Sequence, residues 1–145
     1  MSDVIKSDEE LTRLFMIVES VPGIGRVIAT EIIVTTNEFK TINDPRKYAC
    51  YAGVAPFEHS SGSSIRGKTR TSKKANLKVK SLLHMAAMVA VSYSNEMKEY
   101  YKRKVESGKN KMSALNAVRN KIVLRVFACI RQNRPYEKNY QIAFG

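Results

Sequence analysis

The sequence predicts a mainly α domain: a helical bundle carrying a helix-hairpin-helix element and one irregular, basic, Ser/Gly-rich loop or short hairpin. Three observations lead there. Apolar residues recur at spacings of three, four and seven, the repeat of one helical face. The periodic stretches are punctuated by residues that cap or break helices, among them Pro22, Asp44-Pro45, Gly53, Ser94, Gly108 and Pro135. The length of 145 residues with 43% apolar composition suits one domain with a real core.

Taken in order, Ser7-Asp8-Glu9-Glu10 reads as a helix start, with Ser7 as the N-cap and Glu10 completing a capping box. Leu11, Leu14, Phe15 and Val18 then share a face, and Pro22 with Gly23 stops that helix near Ser20. Residues 26–36 are rich in β-branched side chains, so a strand competes there. A helix is preferred because Val21-Pro22-Gly23-Ile24-Gly25 has the form of a hairpin between two helices. Asp44 and Pro45 start a short helix through Tyr48, Ala49 and Tyr51 that ends at Gly53. Residues 54–72 turn irregular. Residues 77–93 are apolar on nearly every side between 82 and 91, as for a central buried helix. Ser94 caps the next helix, carrying Met97, Tyr100, Tyr101 and Val105. After Gly108 a long helix places Leu115, Val118, Ile122, Val126 and Ile130 inward, with Arg119, Lys121, Arg125 and Arg131 mostly outward, and stops before Pro135. The boundaries expected are a linker over residues 1–10, the domain over 11–136 and a tail over 137–145.

Composition removes several function classes. Seven glycines and four prolines exclude collagen-like or wholly disordered chains. No apolar stretch approaches the roughly 18 residues a membrane span needs, and the polar start lacks a signal peptide's apolar segment. Cys50 and Cys129 are too few for a disulfide scaffold or a Cys-rich zinc site, and read as small core residues. A reduced, cytoplasmic protein with no membrane partner and no metal site of its own is expected.

Charge supplies the first positive clue. Lys and Arg number 25 against 13 Asp and Glu, a net charge of +12. No acidic residue stands between Glu58 and Glu96, while Arg66, Lys68, Arg70, Lys73, Lys74, Lys78 and Lys80 do. Such a run attracts polyanions by a sequence-independent Coulomb term, so nucleic acid is the expected partner.

Two constellations carry chemistry. In the hairpin, Gly23 and Gly25 permit a tight turn whose N–H groups face outward at a helix N-terminus, where a DNA phosphate is favoured. The rival reading is a Gly-rich connector with Ile24 plugging the core. In Ser61-Gly62-Ser63-Ser64-Ile65-Arg66-Gly67, continued by Lys68, Arg70, Lys73 and Lys74, a serine hydroxyl stands among cations. That combination suits attack on a phosphodiester, since the cations stabilise charge growing on phosphoryl oxygens. A flexible Ser/Gly linker is the rival here. The segment contains no obvious general base; His59 is a lone histidine, and His84 reads as a core residue.

These motifs, in order with Tyr48-Ala49-Cys50-Tyr51-Ala52-Gly53-Val54-Ala55-Pro56 and with Ser72-Lys73 ahead of Leu82-Leu83-His84-Met85-Ala86-Ala87, resemble the C-terminal transposase domain of the insertion sequence 110/116/902 family, which includes Piv-type DNA invertases. The resemblance spans residues 11–136. It implies DNA cutting and rejoining through a serine that becomes covalently linked to a strand end, a serine matched by Ser61. It implies a RuvC-like domain with four carboxylates and Mg²⁺, which this chain does not contain, so that the chain is expected to be a C-terminal piece inactive alone. It further implies a bacterial or archaeal, nucleoid-associated enzyme, a homo-oligomer (dimer or tetramer) when full-length, and in some members a structured guide RNA. On this reading Arg66 and Arg70 clamp the scissile phosphate, Ser63 and Ser64 shape the loop or touch phosphate, and Lys68, Lys73 and Lys74 track the strand. The alternative is a non-catalytic helix-hairpin-helix module that binds DNA or RNA.

Overall fold

The computed structural model describes residues 2–55 and 73–137, with side chains placed for 8–55 and 77–137. Among the described residues there are six helices and no strand: α1 (Ser2–Glu19), α2 (Arg26–Thr35), α3 (Pro45–Ala52), α4 (Lys73–Tyr93), α5 (Asn95–Glu106) and α6 (Lys111–Gln132). None is long and apolar enough to cross a membrane. The mainly α expectation holds, and the β-branched stretch is helical.

α1 starts earlier than expected. It is helical from Ser2, so Ser7 lies inside it rather than capping it. Residues 2–6 contain no Gly or Pro, and a good cap residue favours a start without preventing the helix from extending through it. Leu14, Ile17 and Val18 are buried beneath it, with Leu11 and Phe15 packed alongside. In α2 the buried residues are Ile28, Ala29, Ile32 and Ile33, a helical stripe that overrides the strand preference of their side chains.

A tight turn follows α2. Asn37, Glu38 and Phe39 take successive left-handed conformations (φ 54°, 58° and 65°). The buried Thr36 hydroxyl holds the turn, donating to the Ile32 carbonyl at 2.8 Å and accepting the Phe39 N–H at 3.0 Å. Phe39 thereby enters the core and meets Phe127 edge-on, centroids 5.2 Å apart.

α3 forms as its sequence dictates. Asp44 accepts the Arg46 N–H at 3.2 Å, Pro45 opens the helix, and Gly53 ends it in a left-handed conformation (φ 73°). Tyr48, Ala49 and Ala52 make its inner face. Cys50 points away from that face and is exposed, contrary to the core position expected; Cys129 is buried as expected.

α4 and α6 are the spine. α6 packs on α1, α3, α4 and α5, and α4 on α2, α3, α5 and α6. Val79, Leu83, Ala86, Ala87 and Ala90 of α4 are buried, but Leu77, Met85, Met88, Val89 and Tyr93 are exposed. The expectation of burial on every side therefore fails, because α4 is apolar beyond the arc its neighbours cover. His84 is only half-buried. Ser94 caps α5 by accepting the Met97 N–H at 3.4 Å. Asn110 caps α6 through the Ser113 N–H at 2.8 Å, and left-handed Asn133 (φ 55°) closes it before Pro135 is reached.

Candidate nucleic-acid interface

The turn between α1 and α2 is built by its apolar residues. Val21, Pro22 and Ile24 are buried, and Gly25 is exposed as the N-cap of α2. Gly23 has φ +88°, and a Cβ there would overlap the Ala86 carbonyl oxygen of α4. Its N–H donates to the Tyr93 hydroxyl at 3.3 Å. Gly25 is in the extended region (φ −102°), and nothing lies within 4 Å of where its Cβ would be. Gly23 therefore serves close packing, while Gly25 faces solvent at a helix start with no acidic residue in its first turn. Arg26 pairs with Glu19 at 2.7 Å and lies 4.5 Å over the Phe15 ring, tying the two helices across the turn.

Of the other anticipated site residues, Ser61, Ser63, Ser64, Arg66, Lys68 and Arg70 lie outside the described residues. Lys73 and Lys74 occupy the first turn of α4. The described ends flanking the serine segment are Ala55, just past α3, and that first turn of α4.

Beside Ala55 opens a cleft of about 750 Å³ between the end of α3, α4, α5 and α6. Lys80, Lys104, Lys109 and Arg119 line it, together with Tyr100, Ser113, Asn116 and Asn120, and among the described residues no acidic side chain does. Asn116 donates to the Val54 carbonyl at 3.2 Å, fixing the chain leaving α3 against α6. Tyr100 sits under cations: Lys121 Nζ is 4.3 Å, Lys104 Nζ 5.3 Å and the Arg103 guanidinium 5.8 Å from its ring centroid. Burial pushes the Lys121 ammonium down, and the charges of Arg125, Arg103 and Lys104 push the same way against Glu96.

Arg119 corrects the outward placement expected for it. It is only 6% exposed, its buried Nε has no hydrogen-bond partner, and no carboxylate among the described residues pairs with it. Burial lowers its pKa. The signal was present in the sequence: Arg119 follows Leu115 by four and precedes Ile122 by three, inside the apolar arc rather than opposite it.

Arg125 behaves differently. With Tyr136 it hydrogen-bonds Glu96, whose side chain is 5% exposed. Burial alone would raise the Glu96 carboxyl, but the bonds from Arg125 and Tyr136 and the charges of Arg125 and Lys121 outweigh it and hold the group below its ordinary value. Burial and the bond to Glu96 push the Tyr136 phenol up. The Tyr136 N–H also donates to the Ser20 hydroxyl at 2.8 Å, so this cluster fastens α5, α6 and the end of α1.

Among the described residues no three His, Cys, Asp or Glu converge as a metal site would require.

Comparison with known proteins follows the same lines. A sequence model described as the transposase IS116/IS110/IS902 family matches residues 16–102. The chain is 29% identical over 137 residues to a pilin gene-inverting protein of Moraxella bovis, covering 93% of this chain and 42% of that protein. It is 28% identical over 121 residues to an uncharacterized 43.6 kDa protein of insertion element IS110 from Streptomyces coelicolor, covering 83% of this chain and 30% of the relative. A 44.8 kDa protein of insertion element IS116 from Streptomyces clavuligerus is 27% identical over 120 residues. The chain thus spans less than half the length of these relatives.

Proposed function

The chain belongs to the IS116/IS110/IS902 transposase family, and from that premise we propose that it is the serine-bearing, DNA-binding C-terminal domain of a transposase or DNA invertase. The observation that carries this reading is the family match itself, whose residues 16–102 take in the hairpin, α3, Ser61 and the cations after it.

In the proposed reaction the Ser61 Oγ attacks a backbone phosphorus. A new Oγ–P bond forms, the bond from phosphorus to a sugar oxygen breaks, and the serine proton ends on that leaving oxygen. One ester replaces another, so the phosphoseryl link retains the energy needed for a second strand end to displace the serine and rejoin the DNA. Arg66 and Arg70 suit the clamping role because a guanidinium grips two phosphoryl oxygens at once. Ser63 and Ser64 border the nucleophile, and Lys68, Lys73 and Lys74 neutralise the strand on either side. Exposed Gly25 offers its N–H, at the positive end of α2, to a neighbouring phosphate.

The metal chemistry belongs to a separate RuvC-like domain of four carboxylates, which would bring Mg²⁺; no step proposed for this chain runs through that ion. Two strands must be cut and exchanged, so the working protein is a homo-oligomer, and the exposed apolar face of α4 supplies a contact between copies. A structured RNA is the guide proposed for choosing the target.

The test replaces Ser61 by Ala in a full-length protein containing this domain. Loss of strand exchange with DNA binding retained supports the nucleophile. Recombination by the Ser61→Ala protein overturns it, and leaves a non-catalytic nucleic-acid-binding module.

A further inference from the structure

We infer that the cleft between the end of α3, α4, α5 and α6 is a phosphate-binding site for a DNA strand, with Arg119 at its base as the group that grips the phosphate. The inference rests on the DNA-transaction reading above and adds to it a gripping residue, Arg119 of α6, that is remote in sequence from the hairpin and from the Ser61 segment.

The physical case begins with cost. Removing a guanidinium from water without a counter-charge is unfavourable by several kcal/mol, and proteins almost always pair a buried arginine. Arg125, six residues further along the same helix, shows what pairing looks like: Glu96 and Arg125 meet in a hydrogen-bonded ion pair. Arg119 has no such partner among the described residues, and its Nε is orphaned, yet it lines an open cleft. A side chain held in this way is complete only when an anion enters.

The lining specifies the anion. Among the described residues the lining holds four cations and no acid, which disfavours a cationic ligand and favours one of concentrated negative charge. Lys80 and Lys109 are exposed at its edges, as expected of groups that meet a continuing backbone rather than a small ion sealed inside. The hydrophilic Ser113, Asn116 and Asn120 side chains along α6 match phosphodiester and sugar oxygens.

The experiment uses this chain and a duplex DNA of about 20 base pairs, with affinity measured across a salt series and thermal melting in parallel. Arg119→Met keeps the apolar stem and removes the charge. If the inference holds, it weakens DNA binding roughly tenfold and lowers the log–log salt slope by about 0.9, the loss of one phosphate contact. It also leaves the melting temperature unchanged or raised, because an uncompensated buried charge has gone. The surface variant Lys80→Ala/Lys109→Ala, in which folding is not at issue, lowers the slope as well.

If both variants bind DNA as the wild type does, the cleft is not the site, while DNA binding by the domain stands. A large fall in melting temperature for Arg119→Met with unchanged affinity in the surface variant makes Arg119 a structural residue and overturns the inference. If the wild-type chain prefers structured RNA and Arg119→Met abolishes that binding, the assignment to DNA is overturned. If the wild-type chain binds no nucleic acid, both the site and the DNA-binding reading fall.

Discussion

The backbone of Gly23 is seated against the carbonyl oxygen of Ala86, with no room for a methyl group between the α1–α2 turn and α4. Gly23→Ala must distort either the turn or α4, and also places an L-residue at φ +88°. The expected loss of stability is about 3 kcal/mol or more, read as a lower midpoint in urea unfolding.

Gly25→Ala separates packing from binding. Its Cβ meets nothing and its φ is ordinary, so the change costs at most about 1 kcal/mol through the altered cap. If the α2 N-terminus contacts a phosphate, this stable variant binds DNA several-fold more weakly at low salt; unchanged affinity removes Gly25 from the interface.

The Glu96 carboxyl is held below its ordinary value in the folded chain. As pH falls, the unfolded form takes up the proton first, so the ion pair's contribution is whole above about pH 4.5 and is lost as pH drops through the lowered folded value. Glu96→Gln removes the negative charge from the pair with Arg125 and weakens a part-buried hydrogen-bonded contact, costing about 3 kcal/mol at neutral pH. It also flattens the acid limb. Melting temperatures of both proteins from about pH 2.5 to 6 should converge toward the acid end, and parallel curves would refute the assignment.

Glu38→Gly is expected to stabilise. Glu38 is held at φ 58°, where an L-residue costs roughly 1–2 kcal/mol and glycine almost nothing. Glycine's greater unfolded-state freedom returns part of this. The lost 3.7 Å contact with Lys40 is exposed and worth little. A net gain of about 0.5 kcal/mol, a rise of roughly 2–3 °C in Tm, should appear in calorimetry.

Met85 and Val89 are exposed on the apolar face of α4, at 57% and 46%. If that face joins copies, light scattering at high concentration gives a mass above that of one chain, and Met85→Glu/Val89→Glu reduces it to the monomer with the helical signal unchanged. A monomeric wild type removes the contact.

The helices were largely legible in the sequence because their signals are local. Asp44-Pro45, Gly53 and Ser94 act on backbone groups within a few residues of themselves, and each did what its chemistry dictates. The start of α1 was misread at Ser7 for the same reason: a cap expresses a preference, and nothing before it opposed a longer helix. Gly25 and Gly23 looked equivalent in sequence. Only the position of α4 separates the one that packs from the one left open.

From the order of residues alone came the mainly α architecture and the basic character, which depend on spacing and composition along one chain; the family resemblance of its ordered motifs is what singled out Ser61 as the residue to test. Tertiary structure decided which face of α4 is left uncovered, that Cys50 is exposed, and that Arg119 is enclosed with no carboxylate partner among the described residues while Arg125 is paired. The physical reason is that burial is a property of neighbours. The end of α3 and the helix α5 reach α6 from elsewhere in the chain, and periodicity within α6 cannot say which of its arginines they will cover or whether a carboxylate will come with them.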